Sequence, residues 1–445
     1  MGPQGIVEGD LLIRGSRIEA IGPGLAESVR DAIRVDASGR IVIPGLVDSH
    51  IHAWEGQLRG IAPDARQRNY IAVTHAGTAP QYTPEDIAIG QRLSAAQAIN
   101  AGTTTIVDNF HNGRTRAHSE AAIEALIGSG VRAVHAAGGG QAGVHDHQLP
   151  ADLPRLRDEF GLDGGGLVTL RMYDATPSLD SWRFADEHGF DLCLELGPWT
   201  RSIEELARSG LMRPGHTYNH CVGITDEVWR AIADSGAAVN LCPRSDSQFG
   251  IGAFAPALEP RRHGMQEGIS SDNEVSYAHD LFAEMRTLIT IQRGLALAAE
   301  AAGDSKPSPL YGPTEALRAA TVGGALNAGM LDDLGTLEVG KRADLVILSL
   351  DEVTSRLWGS IVGTVVNTLG IAAVDTVFID GRLRKWAGRL VGVDYEALAR
   401  EGERSRDRLL AAIGIDTDEV RAGVMRVPDE RGADDTMRAH LNHRD

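Results

Sequence analysis

Lysine is almost missing from this chain. Of the 43 lysines and arginines in 445 residues, only Lys306, Lys341 and Lys385 are lysines, and none precedes residue 306. The first two-thirds of the chain therefore holds no phosphate-loop lysine, no Schiff-base lysine and no lysine that, once carboxylated, bridges two metals. Cysteine is equally scarce. Cys193, Cys221 and Cys242 form no C-x-x-C pair and are odd in number, which argues for a reducing compartment and against a disulfide framework. No apolar run reaches the roughly 18 residues that a membrane span needs. The opening MGPQGIVEGD lacks the basic and apolar regions of a secretory signal. Positive charge is outweighed as well: the formal net charge is −18. Binding to polyanions relies on clustered basic residues, so neither nucleic acid nor an anionic membrane is an expected partner. These absences leave the expectation of a cytoplasmic protein acting on a small molecule.

What is present is the balance of a globular protein, 42% apolar and 23% charged. The length suits two or three domains of about 150 residues, or one barrel of about 250 with additions. Residues 7–45 read as short strands, with a hairpin signal in VEGDLLIRGSRIEAIG and a mostly apolar strand, interrupted by Pro-Gly, in IVIPGLVDSHIH. From there to about residue 330, apolar runs alternate with helical stretches. The strand candidates are 46–52, 103–110, 131–138, 167–174, 190–197, 216–223, 237–243 and 268–274. Eight strands in alternation with helices predict a (β/α)8 barrel. Residues 335–383 turn β-like again and are expected to pair with the N-terminal strands. The resulting division is 1–45 and 335–390 as the two parts of a small composite β-sandwich, 46–334 as the barrel, and 391–445 as a tail with a helix in YEALAREGERSRDRLLAAIG and a charged end.

His50 and His52 lie two apart on the first barrel strand, so both side chains point to one face. They sit at the strand's C-terminal end, where barrel active sites are built. Two imidazoles placed this way suit a divalent metal.

PGLVDSHIH resembles the first barrel strand of the amidohydrolase superfamily. The resemblance continues through AGTTTIVDNFH, HCVGITDEVWRAIADSG, SSDNEVSYAHDLFAEMR and ALRAATVGGALNAGMLDDLGTLEVGKRADLVIL, and covers about residues 8–390. HIHAWEGQLRG and DLFAEMR point to the branch of cytosine deaminase-like and triazine chlorohydrolase-like enzymes. The resemblance implies a metal held by two histidines on strand 1, a histidine on strand 5 and an aspartate on strand 8, with a further histidine on strand 6 at the water or substrate. His50, His52, His220 and Asp272 match four of these positions. For Asp272 the competing reading is a helix N-cap before NEVSYAHD.

Strand 5 departs from the pattern, because FDLCLELGPWT contains no histidine. If Glu195 takes that slot, the metal gains a carboxylate ligand. If Leu192 takes it, Glu195 falls where deaminases of the family keep a proton-shuttling glutamate, and one ligand is missing. Periodicity favours the first placement. Leu192, Leu194 and Leu196 share one face, suited to packing on outer helices, and Cys193 and Glu195 share the other with Asp191. Cys193 is the outside candidate for a softer ligand. No barrel strand carries a lysine, so one metal is expected: zinc first, with iron or manganese also compatible with a carboxylate ligand.

The resemblance implies a hydrolase that cleaves a C–N bond in a small heterocycle, amide or urea with a metal-activated water. Asp272 would take the proton, His220 would polarise the substrate, and Glu195 would act as ligand or shuttle. Trp54, Arg59, His111 with Asn112, and Arg244 with Ser245 are candidate substrate contacts. His145 and His147 mimic a metal pair but fall in a Gly-rich loop. GGGQAG lacks the strand and helix of a nucleotide-binding turn. Homo-oligomerisation is expected from the resemblance alone. The altered strand 5 motivates a second reading, a non-catalytic binding barrel.

Overall fold

The computed structural model describes residues 5–423 apart from 201, 307, 352–355, 357 and 358. Two strands, β1 (Asp10–Arg14) and β2 (Arg17–Gly22), form the antiparallel hairpin expected near the N-terminus. Its turn is made at Gly15, where φ is +61°. The interrupted apolar run that follows divides into β3 (Ile41–Pro44) and β4 (Leu46–Ile51), which belong to different sheets. Gly45 separates them. A Cβ at Gly45 would overlap the Thr104 side chain, so the switch between sheets needs glycine.

The barrel strands are β4, β5 (Thr103–Gly113), β6 (Arg132–Gly139), β7 (Val168–Tyr173), β8 (Leu192–Leu196), β9 (Thr217–His220), β10 (Ala238–Leu241) and β11 (Gly268–Ile269). They are hydrogen-bonded in chain order and are parallel throughout. The last strand is shorter than the run 268–274 suggested, because the chain turns at Asp272 with φ of +65°. The ring closes there. Ile51 and Asp272 form a parallel bridge, with the His52 amide donating to the Asp272 carbonyl at 2.8 Å and the Asp272 amide to the His50 carbonyl at 2.9 Å. Asp272 is not a helix cap. The helix Leu281–Ala301 is capped by Asp280, whose carboxylate accepts from the amides of Phe282 and Ala283.

β8 shows how the core orders the site. Leu192, Leu194 and Leu196 join the main core outside the barrel wall, together with Trp182 and Leu206. Cys193 packs inside with Val47, Val107 and Val134. Asp191 lies just before the strand and pairs with Arg213 instead of lining the interior.

Four further strands, β12 (Leu345–Leu348), β13 (Val374–Ile379), β14 (Arg382–Trp386) and β15 (Arg389–Leu390), build an antiparallel sheet onto β3. Ile43 stands opposite Val346, so both ends of the chain share this sheet. It is tied to the barrel by Arg132, which donates to both oxygens of Asp344 at 2.8 and 3.0 Å.

The segments that follow β4 and β10 at the barrel mouth are structured. Ala53–Leu58 is a 3-10 turn, Gln67–Val73, Pro84–Asn100 and Pro243–Phe249 are helices. The tail helix Tyr395–Ala412 packs over this region. Leu409 and Leu410 enter a cluster with Trp54, Leu58, Tyr70 and Phe249, and Ser405 Oγ donates to Asp86 at 2.7 Å. The charged end, 424–445, lies outside the described residues. Among the described residues, no helix is long and apolar enough to cross a membrane.

Candidate metal centre

At the C-terminal mouth of the barrel, five side chains named from sequence come together on three strand ends and the closing turn. His50 Nε2 lies 2.9 Å from Asp272 Oδ1. His52 Nε2 lies 3.3 Å from Glu195 Oε1 and 3.5 Å from Asp272 Oδ1, and Glu195 Oε1 is 3.9 Å from His50 Nε2. The ring of His220 is 5.3 Å from that of His50. His50, His52, Asp272 and His220 are all buried. His220, Cys221 and Asp272 hold left-handed backbone, at φ of +63°, +55° and +65°. Such conformations cost energy in residues with a Cβ and concentrate at functional sites.

The donor atoms fit a cation. His52 Nδ1 donates to the carbonyl of Asn109 at 2.9 Å, so in the neutral ring Nε2 carries a lone pair. That lone pair is aimed at two carboxylate oxygens. Acceptors facing one another in a buried space need a positive charge between them. The ligand atoms of His50, His52 and Asp272 all lie within 4.8 Å of one another. Burial lowers the His52 imidazole, but Glu195 and its neighbours reverse this and carry it up to about 10. Burial likewise raises the carboxyls of Asp272 and Glu195, and the imidazoles around them more than offset it, so both fall below the ordinary range.

Supporting contacts orient these groups. Tyr173 Oη donates to Glu195 Oε1 at 3.0 Å. Ser245 Oγ donates to Asp272 Oδ2. His220 Nδ1 is 2.8 Å from Asp246 Oδ1. Burial lowers His220, but the Asp246 carboxylate carries it up to about 9. Asp48 accepts from the amides of His50 and Ser271, which ties the first strand end to the last.

The other sequence candidates fall into two groups. The His111 ring is 4.6 Å from His52, and the Trp54 ring is 5.3 Å from His111 and 5.1 Å from Tyr82. Arg59 and Arg244 hold buried acids instead: Arg59 donates to Glu274 at 2.7 Å, and Arg244 pairs with Glu284 while lying over the Tyr277 ring. Cys193 Sγ donates to Asn109 at 3.0 Å and lies outside the clustered ligand atoms. His145 and His147 face each other, with ring centroids 3.9 Å apart, in the Gly-rich loop.

Sequence reading missed Asp246, Glu55, Tyr70 and His75. Asp246 carries a usable signal, an acid on the first turn of the helix that follows a strand end. The other three come from segments without strand periodicity.

The model of the amidohydrolase family matches residues 41–176 and 199–384. The chain belongs to the amidohydrolase family. It is a hydrolase of C–N bonds other than peptide bonds, which sets aside the reading of a non-catalytic barrel. The unmatched segment 177–198 contains β8 and Glu195, the place where the family pattern was seen to break.

This amidohydrolase is 30% identical over 369 residues to the 5-methylthioadenosine/S-adenosylhomocysteine deaminase of Symbiobacterium thermophilum, covering 77% of this chain and 81% of that protein. It is 24% identical to the 5′-deoxyadenosine deaminase of Methanobrevibacter smithii, over 91% of this chain and 95% of that one. Among solved structures, an adenosine deaminase from Xanthomonas campestris with bound zinc superposes with a TM-score of 0.78 at 24% identity, covering 90% of this chain and 93% of the other. A mutant atrazine chlorohydrolase from Arthrobacter aurescens, complexed with zinc and atraton, gives 0.74 at 22% identity, covering 89% and 94%. These two likenesses show the shared fold.

Proposed function

We propose that this amidohydrolase is a mononuclear zinc enzyme that hydrolytically deaminates an amino-substituted heterocycle. The observation that carries this reading is the convergence of His50, His52, Glu195 and Asp272 on one buried point at the barrel mouth. In this reading Glu195 takes the strand-5 position and acts as a ligand, and the barrel, 46–334, is the catalytic domain. The names of the two curated relatives above, both adenosine-type deaminases, support deamination over amide or urea hydrolysis.

Bound there, a divalent ion supplies Lewis acidity and lowers the pKa of a water toward about 7. The chain's own groups do the rest. Asp272 accepts the water proton on its carboxylate, which Ser245 keeps oriented. His220, with Nδ1 committed to Asp246, turns its other ring nitrogen to the substrate and steadies charge that develops on the ring. A C–O bond forms at the ring carbon and the C–N bond breaks. The proton held by Asp272 passes to the departing nitrogen, which leaves as ammonia.

The test is ammonia release by the zinc-loaded full chain from a panel of aminated heterocycles, including adenosine-type nucleosides, cytosine and guanosine. The expected result is turnover of at least one member that a chelator abolishes and zinc restores. Protein carrying stoichiometric zinc that releases ammonia from none of them would overturn the reading.

A further inference from the structure

The buried acids around the metal centre can be accounted for one by one. Glu274 has Arg59, Glu284 has Arg244, and Asp246 has His220. Asp48 takes the His50 and Ser271 amides and the Ser271 hydroxyl. Asp272 and Glu195 face the two metal-site histidines. Asp246 also leaves one oxygen unpartnered, but of these acids Glu55 alone has neither a basic partner nor more than one donor. It sits on the 3-10 turn directly after β4 and is fully buried. Its Oε1 accepts a hydrogen bond from Tyr70 Oη at 2.8 Å, and its Oε2 has no partner. A buried carboxyl with a single neutral donor is expensive, and such groups in native proteins call for an explanation.

The surroundings supply one. Glu55 is close enough to His52 and Asp272 for their charges to act on it. The Tyr70 ring that holds it stacks on Phe249, with centroids 5.1 Å apart and planes 26° apart. Tyr70 also meets His75 edge-on, and His75 stacks on His111, which touches His52. A chain of ring contacts therefore runs from Tyr70, which holds Glu55, to His52 at the metal centre. It suits a planar ring, and the acid at its end is an acceptor.

We propose that Glu55 is the substrate anchor of this site: its Oε2 accepts an N–H of the heterocycle other than the nitrogen that leaves. With a divalent cation offsetting Asp272 and Glu195, Glu55 is the acid left to be balanced, so the site selects rings with a further N–H donor and rejects anionic ones. Burial alone favours the protonated Glu55 carboxyl, and a donor brought by the ligand restores its ionised, accepting form. The inference rests on the deaminase reading and narrows its substrate class.

The test is equilibrium binding to the zinc-loaded full chain with matched pairs: cytosine against 1-methylcytosine, and guanosine against 1-methylguanosine. 5′-Methylthioadenosine serves as a ring whose only N–H belongs to the leaving amino group. At least one N–H parent should bind tenfold or more tightly than its N-methyl partner, and the gap should close in Glu55→Leu. If Glu55→Leu does not fold, Glu55→Gln must shrink the gap at least threefold. Equal binding within both pairs, no binding by either parent, or a gap that survives the substitution would each overturn the assignment. Ammonia release without a pairwise gap would sink Glu55 alone, whereas no ammonia release from any ring would sink the reading beneath it.

Discussion

Asp246 Oδ1 lies 2.8 Å from His220 Nδ1, and both side chains are buried. The contact fixes the imidazole by its outer nitrogen and leaves the inner one for the site. An outer partner of this kind typically changes activity by about 10–100-fold when it is removed. Asp246→Asn, close in shape, should therefore lower kcat by about that factor, with KM within about threefold and metal content unchanged. Steady-state kinetics with metal analysis checks this. An unaltered kcat would mean that the ring is held by packing alone.

The barrel and the flanking sheet meet at an ion pair buried on both sides, Arg132 with Asp344. Arg132 also reaches Asp380 at 3.0 Å. Removing one member of a buried pair strands the other and typically costs about 3–5 kcal/mol. Asp344→Ala should lose stability near the lower end of that range, because Asp380 remains, as measured by urea unfolding. A loss below about 1 kcal/mol would show that the pair does not join the two units energetically.

Asp174, at the end of β7, gives a pH signature away from the metal centre. Burial raises its carboxyl to about 6, and the bonds from Ser181 Oγ at 2.7 Å and the Thr176 amide at 3.2 Å only partly oppose this. The folded value lies above the unfolded one, so the folded state binds the proton more tightly. Stability from this group is full below the ordinary aspartate range and is lost as pH rises through about 6. The loss is on the order of 2–3 kcal/mol. Asp174→Asn should gain on the wild type as pH goes from about 4 to about 8, read from paired unfolding curves. A constant difference between the two would contradict the shift.

Much of this was legible because barrel strands announce themselves twice, as short apolar runs and by chemistry at their C-terminal ends. His50 and His52 share a face because a strand repeats every two residues, and the same alternation separated Glu195 from Leu192, Leu194 and Leu196. The last strand was overread. Its polar continuation holds Asp272 in a left-handed turn that closes the ring, and no periodicity reports such a turn. The helix Pro84–Asn100 was hidden for another reason. It is rich in small residues and buries Gly90, Gln91, Ser94, Ala95 and Ala98, so it shows little contrast between faces. Glu55 and Tyr70 were out of reach because their meeting depends on how a 3-10 turn and a short helix fold over the barrel mouth.

In the proposed reading one divalent ion is held by His50, His52, Asp272 and, in place of the family's strand-5 histidine, Glu195. The most direct measurement is the metal-to-chain ratio of the purified full chain, by elemental analysis, beside that of Glu195→Ala at matched helical content. About one zinc per wild-type chain and a large loss of metal in the variant are expected. A wild type without stoichiometric divalent metal, or a variant that keeps the wild-type ratio, would contradict that reading.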